Sequence, residues 1–366
     1  MKKRILIVAT IYRCGQKMYP VIPLLCQKYE IDVLMFNQMS EDTPWHGDND
    51  PRLLFYKKCV EDGATVMQGP SADYISKHYK DLSIVSKIDY AKYNMILLDD
   101  NFVKGGWGTP LLCREARKRG IIVVATPHGN HEFDRYGIKD KLGDIFDYSF
   151  VFGKREQREL IGKHRRKFLL PGGIPANDVL KNYKRTNENI LIVVSYVDKF
   201  NSRKKNQNGY LPFTEKTFLD LGIPALQKKY GLNVIIKEKS RFKKGLDYSL
   251  KHMEKYEGVK VIMDHPDNNQ LIAESALLVS APSTLCFKAM QIGIPTVLLK
   301  RYGMTGNFKG YDGLIDIGKD DINESIERVI NNEYPGFIED VLEGGNDFSS
   351  TEIYVKTIND ILGGTI

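Results

Sequence analysis

His128 stands between Pro127 and Gly129, directly after the apolar run 121–126. A short apolar run closed by turn-forming residues reads as a buried strand and its exit. The imidazole is therefore expected at a strand end, beside a glycine that lets a ligand come close to the backbone. An ordinary pKa near ~6.5 suits histidine to general-base work at neutral pH. A histidine hydrogen-bonded within a turn is the structural alternative. His131 and Asp134 follow and could orient it or bind an acceptor. Asp99 and Asp100 close another apolar run, 93–99, where a carboxylate could act as a base, bind metal or stabilise the loop. Asp100 is the candidate taken from that pair. Arg13, in the polar turn 10–15, is a further candidate for acceptor binding.

A second set lies in the later half. Residues 277–279 are an apolar run, 280–284 a small polar turn, and 284–292 carry the apolar spacing of a packed helix. Free N–H groups at a helix start, with the hydroxyls of Ser283 and Thr284, make a seat for phosphate, although the same hydroxyls could simply cap the helix. Lys237 follows the apolar run 234–236 and could neutralise a diphosphate, or stand as an exposed lysine at a strand end. Ser195 ends the run 190–194, while Asn268, with Glu238, Asp267 and Asn269, could contact ribose or base or cap a helix.

These positions make sense only if particular elements hold them. A strand over 4–10, a polar turn, an apolar segment over 19–29 and a strand over 31–36 have the cadence of a βαβ unit and a parallel sheet. Further strands are expected at 64–67, 93–99, 121–126 and 146–152, with helices at 53–63, 110–119 and 155–163. The cadence starts again near Asn189, with strands at 190–194, 234–236, 259–263, 277–279 and 313–317 and a helix within 214–230. The fold class expected is α/β, with two doubly wound Rossmann-like domains facing a central cleft. Residues 1–175 would be an acceptor-binding domain, 186–345 a nucleotide-donor domain, and 346–366 a C-terminal helix packing back on the first. In such sheets ligands bind beyond the carboxyl ends of the strands, where all the candidates above fall.

At 366 residues, 42% hydrophobic and 27% charged, the chain has an ordinary globular composition with room for two cores. The run 5–9 is too short for a signal-peptide core, and no apolar run approaches a membrane span, so a cytoplasmic protein is expected. The 5 cysteines are scattered without CxxC spacing, which suggests neither a disulfide framework nor a zinc site. No GxGxxG follows the first strand, so a dinucleotide cofactor is not indicated. The net charge of +7 is gathered in clusters at 154–158, 163–167, 203–205 and 241–244. These are either solvated helix faces or attraction to an anionic partner: a nucleotide, an anionic polymer, nucleic acid, or a peripheral membrane contact.

With His128, Gly129 and Asn130 followed by the stretch 133–137, the chain resembles transferases of the GT-B fold that use nucleotide-activated donors. In particular it resembles the CDP-glycerol glycerophosphotransferase-like group of teichoic-acid and capsule synthesis. That group's Gly-x-Pro-x-x-Asp-x-Leu is echoed at 173–180, its strand ending in lysine at 235–237, and its strand, Ser-rich turn, helix and Gly-x-Pro at 277–295. The likeness covers roughly 120–300. Its Lys-x-His-Pro is Lys-Glu-Lys-Ser here, and an acidic helix residue that contacts ribose in many GT-B glycosyltransferases is replaced by Lys288. The non-hydrolysing UDP-N-acetylglucosamine 2-epimerases look like a second relative, through the strand-ending Asp99 or Asp100 and the Gly-x-Pro at 293–295. Their His-Arg-Glu-Asn and Gly-Gly-x-x-x-Glu-Glu motifs are absent.

The resemblance implies a metal-independent glycosyltransferase, or polyol-phosphate transferase, without a bound cofactor. A UDP- or CDP-linked donor would sit on Ser195, Lys237, Asn268, Ser283 and Thr284. His128 and Asp100 would serve the chemistry, and Arg13, His131 and Asp134 the acceptor hydroxyl. A glycosyltransferase acting on modified nucleic-acid bases, a UDP-sugar 2-epimerase and a non-catalytic nucleotide-binding module are the alternatives.

Overall fold

The computed structural model describes residues 2–9, 17–35, 51–67, 88–99, 109–127, 145–161, 169–194, 213–238, 250–263, 265, 267–299, 308, 310–315, 320, 322–331 and 335–366. The chain divides into two compact units, 1–178 with 339–366, and 179–338.

The first unit is a seven-stranded sheet in the order β3-β2-β1-β4-β5-β6-β7. Its strands are β1 (Arg4–Ala9), β2 (Glu30–Met35), β3 (Thr65–Met67), β4 (Met95–Asp99), β5 (Ile122–Thr126), β6 (Tyr148–Val151) and β7 (Leu169–Pro171). All neighbours are parallel, with Ile7 paired to Val33 on one side and Leu97 on the other. Between them run α1 (Ile22–Cys26), α2 (Pro51–Glu61), α3 (Thr109–Lys118) and α4 (Lys154–Ile161). A parallel sheet is covered on both faces, which explains the unbroken apolar run of β1. Ile5 and Ile7 point to the layer holding Ile22 and Leu25, whereas Leu6 and Val8 point to the layer holding Leu112 and Ala116.

The second unit is a six-stranded parallel sheet ordered β10-β9-β8-β11-β12-β13. Its strands are β8 (Asn189–Val194), β9 (Asn233–Glu238), β10 (Val259–Ile262), β11 (Ser275–Ser280), β12 (Thr296–Leu299) and β13 (Leu314–Ile315). The helices are α5 (Glu215–Asp220), α6 (Ile223–Tyr230), α7 (Asn268–Ala273), α8 (Thr284–Gln291) and α9 (Ile322–Asn331). Where a helix is expected within 214–230 there are two, because Gly222 adopts φ 63° and Pro224 starts a new first turn.

Both sheets therefore reverse their strand order once, between β1 and β4 and between β8 and β11. This is the doubly wound Rossmann arrangement, in which the reversal marks a crevice at the carboxyl ends of the strands.

Helix α10 (Pro335–Val341) carries the chain back to the first unit, where α11 (Ser350–Gly363) packs. Tyr354, Ile358, Ile361 and Leu362 of α11 share one apolar layer with Ile5 and Ile7 of β1. The Tyr354 ring stacks on Phe150 at 3.8 Å and 11°, a contact worth roughly 0.5–1.5 kcal/mol beyond its buried area. Among the described residues no helix is long and apolar enough to cross a membrane.

Candidate functional site

In the second unit the strand-order reversal falls beside the end of β11. Ser280 is buried there, and the turn after it leads into α8. Ser283 holds the N-cap position in extended backbone, φ −155° and ψ 165°, yet its hydroxyl caps no helical N–H. It lies instead 3.5 Å from the Cys286 thiol, and Cys286 N–H donates to the Ser283 carbonyl at 3.1 Å. The Thr284 hydroxyl and the N–H groups of Thr284 and Leu285 have no hydrogen-bond partner among the described residues. Thr284 is half-buried, so these donors can be reached from solvent. The floor beneath is tied down: the hydroxyl of Ser280 and the thiol of Cys286 both donate to the Ala281 carbonyl, at 2.9 and 3.6 Å. Burial pushes the Cys286 thiol up and keeps it protonated.

The neighbouring start of α7 is arranged differently. Asp267 caps it, accepting from Asn269 N–H at 2.8 Å and Gln270 N–H at 3.2 Å, and also from the Tyr183 hydroxyl at 2.7 Å. Burial works to raise this carboxyl, but the hydrogen bonds from Tyr183 and the two amides outweigh it and hold the group below the usual aspartate range. Asp267 is therefore the cap, and Asn268 is the exposed first residue of the helix.

Asp267→Ala should cost about 1 kcal/mol at pH 7, the ordinary value for losing a helix cap. A depressed folded-state pKa contributes stability above the unfolded value, ~3.9, and loses it as pH falls through the lower folded value. The gap between wild type and Asp267→Ala in urea unfolding should thus be full near neutrality and close in acid. A gap that stayed constant down to pH 2 would refute this account of Asp267.

Lys288 points at α7, donating to Asn269 Oδ1 at 2.8 Å. Lys237, near the end of β9, donates to the Met263 carbonyl at 3.2 Å. Glu238 is buried and accepts the Leu250 N–H at 2.5 Å, a structural task that takes it out of the ribose-binding candidates. Ser283, Thr284, Lys237 and Asn268 all stand at the carboxyl edge of the second sheet. Ser195 lies outside the described residues.

Arg13, Asp100, His128, His131 and Asp134 of the first unit also lie outside the described residues, as do the basic stretches 163–167, 203–205 and 241–244. The ground on which His128 stands is described. Thr126 ends β5, is buried, and donates to the Leu98 carbonyl at 3.3 Å; Pro127 after it is also buried. A small cavity opens there at the ends of β5, β6 and β7, between Lys17 and Met18, Thr126 and Pro127, Phe152, residues 173–175 and Tyr354.

Residues 173–180, which echo a Gly-x-Pro-x-x-Asp-x-Leu motif in the sequence, start in this corner, and Gly172 and Gly173 build it. A Cβ on Gly172 would meet the rings of Phe150 and Tyr354 at 2.6 Å, and Gly173, at φ +76°, faces the Glu343 carbonyl and the Ser350 hydroxyl. The adjacent glycines were the available signal for such close approach.

The basic stretch 154–158 is largely neutralised by carboxylates. Lys154 lies 3.8 Å from Glu343, Arg155 3.6 Å from Glu159, and Arg158 2.7 Å from Asp340. Exposed pairs of this kind add little stability, but they leave less positive field for an anionic partner.

Two Rossmann-like domains of this strand order make the chain GT-B-like in fold. The UDP-GlcNAc 2-epimerase of Neisseria meningitidis, solved bound to UDP-GlcNAc, matches it with a TM-score of 0.58 and 15% identity, over 97% of this chain and 99% of that one. A glycosyltransferase from Rickettsia africae gives 0.58 and 10% identity, over 99% and 98%. The wall teichoic acid polymerase TagF gives 0.54 and 13%, over 100% and 90%. No protein-family model and no curated protein matches the chain.

Proposed function

We propose that this protein is a cytoplasmic GT-B transferase that moves a glycosyl or polyol-phosphate group from a UDP- or CDP-linked donor to an acceptor hydroxyl. The observation that carries the reading is the uncapped, reachable start of α8 beside the strand-order reversal of the second sheet. Helix N–H groups left without a side-chain cap at that location are suited to a diphosphate. Ser283 and Thr284 would hold its oxygens, Lys237 would add charge, and Ser195 and Asn268 would contact the nucleoside. In the first unit His128 would deprotonate the acceptor hydroxyl, with Asp100 supporting it and Arg13, His131 and Asp134 holding the acceptor. The helix dipole and lysine charge would stabilise the leaving group, a nucleoside diphosphate when a glycosyl group moves and a nucleoside monophosphate when a polyol phosphate moves, so the step requires no metal. The likeness to one structure solved with UDP-GlcNAc and to a polymerase solved with CDPG supports a nucleotide-linked donor.

Epimerisation of a UDP-sugar is the second reading, favoured by the epimerases among the similar structures. It would convert the sugar with no acceptor present. The first test is a thermal-shift panel of UDP, CDP, GDP, TDP and CMP. A ligand at a hundred times its Kd adds about 2.7 kcal/mol to the native state, and UDP or CDP should raise the melting temperature by roughly 5–10 °C. A panel in which no nucleotide moves the transition would sink both readings.

A further inference from the structure

We propose that the C-terminal segment positions the carboxyl end of β5, so that the ligand edge of the first unit is complete only when residues 343–354 are docked. The docking is dense and local. Glu343 N–H and Gly173 N–H both donate to the Phe152 carbonyl, at 2.8 and 2.9 Å. The Ser350 hydroxyl donates to the Glu343 carbonyl at 3.0 Å and accepts the Ile174 N–H at 3.3 Å. Asp178 then accepts the Thr351 N–H at 2.6 Å, acting as an N-terminal cap for α11 from 173 residues away in sequence. Ser350 is fully buried and Asp178 is 7% exposed, so these bonds are shielded from competing water.

The same residues wall the cavity at the ends of β5–β7. Gly173, Ile174, Pro175 and Tyr354 line it together with Thr126 and Pro127. Gly-Gly-Ile-Pro-Ala-Asn-Asp over 172–178 is therefore a dock for the C-terminal helix, and through that dock it braces the strand end from which His128 departs. Ser350 and Asp178 are positioning residues in this account. That the braced edge takes the acceptor rests on the transferase reading; the bracing itself does not.

Amide hydrogen exchange on the full-length protein tests it without any ligand. Ser350→Ala and Asp178→Ala should speed exchange roughly tenfold in peptides covering 122–126 and 172–178, the size expected from losing one buried cap or hydroxyl bond. Asp178→Asn, whose amide oxygen can still accept from Thr351, should restore most of the protection. Tyr29→Phe removes a bond to Asn359 farther along α11, 2.6 Å in length, and should leave 122–126 at its wild-type rate. Two results would overturn the proposal: exchange that rises over 343–354 but not over 122–126, or a rise equal in β1, β4 and β5, which would mean general loosening. The nucleotide panel can succeed or fail independently of both.

Discussion

Gly173→Ala is expected to lower the unfolding transition of the first unit by roughly 6–12 °C, corresponding to about 3 kcal/mol for a unit of this size. Two costs add. Gly173 sits at φ +76°, where an L-residue with a Cβ loses roughly 1–2 kcal/mol. The new methyl would also press against the Glu343 carbonyl and Ser350 hydroxyl and stand 3.0 Å from Ser350 Cβ. Those atoms are fixed by the bonds that hold α11, so they cannot yield cheaply, and overpacking of this kind costs typically 1–3 kcal/mol. Gly120→Ala is the matched control. It has φ +74° but nothing within 4 Å of the added Cβ, so only the conformational cost, roughly 1–2 kcal/mol, should remain. Calorimetry on the two variants separates the contributions. Equal shifts would mean that the contact with the C-terminal segment carries no weight.

Local pattern made most of the strands and helices legible. The run 4–10 became Arg4–Ala9, the run 190–194 became Asn189–Val194, and the expected helix 284–292 is Thr284–Gln291. Buried parallel strands and packed helices leave apolar signatures within a few residues, and these survive in a single sequence. The stretch 175–182 left no such signature. It lies within 171–188, a stretch rich in Gly, Pro, Asn and Lys that reads as a boundary between domains, yet it forms a 3-10 helix. Such turns have poor hydrogen-bond geometry of their own and need outside partners, here Thr351 against Asp178. The missing cap on α8 was equally invisible. Ser283 has the type and position of a cap, but its hydroxyl turns toward Cys286, a consequence of how the turn after β11 is packed. Asp267 is similar: the pattern allowed a cap there, while its partner Tyr183 is 84 residues away. What the sequence hid was which hydrogen-bonding groups are already occupied, and that decides which helix start is available to a ligand.

That distinction gives the second large effect. Thr284→Glu should leave the protein folded and slightly more stable while weakening nucleoside-diphosphate binding by roughly a hundredfold. A carboxylate in the first turn of α8 meets the positive end of the helix dipole, which favours it by about 0.3–1 kcal/mol. The same charge near a bound diphosphate repels it. At an effective dielectric of about 20 two unit charges 4 Å apart interact by about 4 kcal/mol, and screening at a half-exposed position reduces this to roughly 2–3 kcal/mol, or about two decades in Kd. Stability and binding thus move in opposite directions, which a variant that simply misfolds cannot imitate. Calorimetric titration with whichever nucleotide leads the thermal-shift panel reads the second, and urea unfolding reads the first. Asp267→Ala, at the neighbouring and already capped helix, should instead lose stability and leave nucleotide affinity within a few fold. If Thr284→Glu bound the nucleotide as tightly as the wild type, the diphosphate would have to sit elsewhere on the second sheet, and the roles proposed for Ser283, Thr284 and Lys237 would fall together.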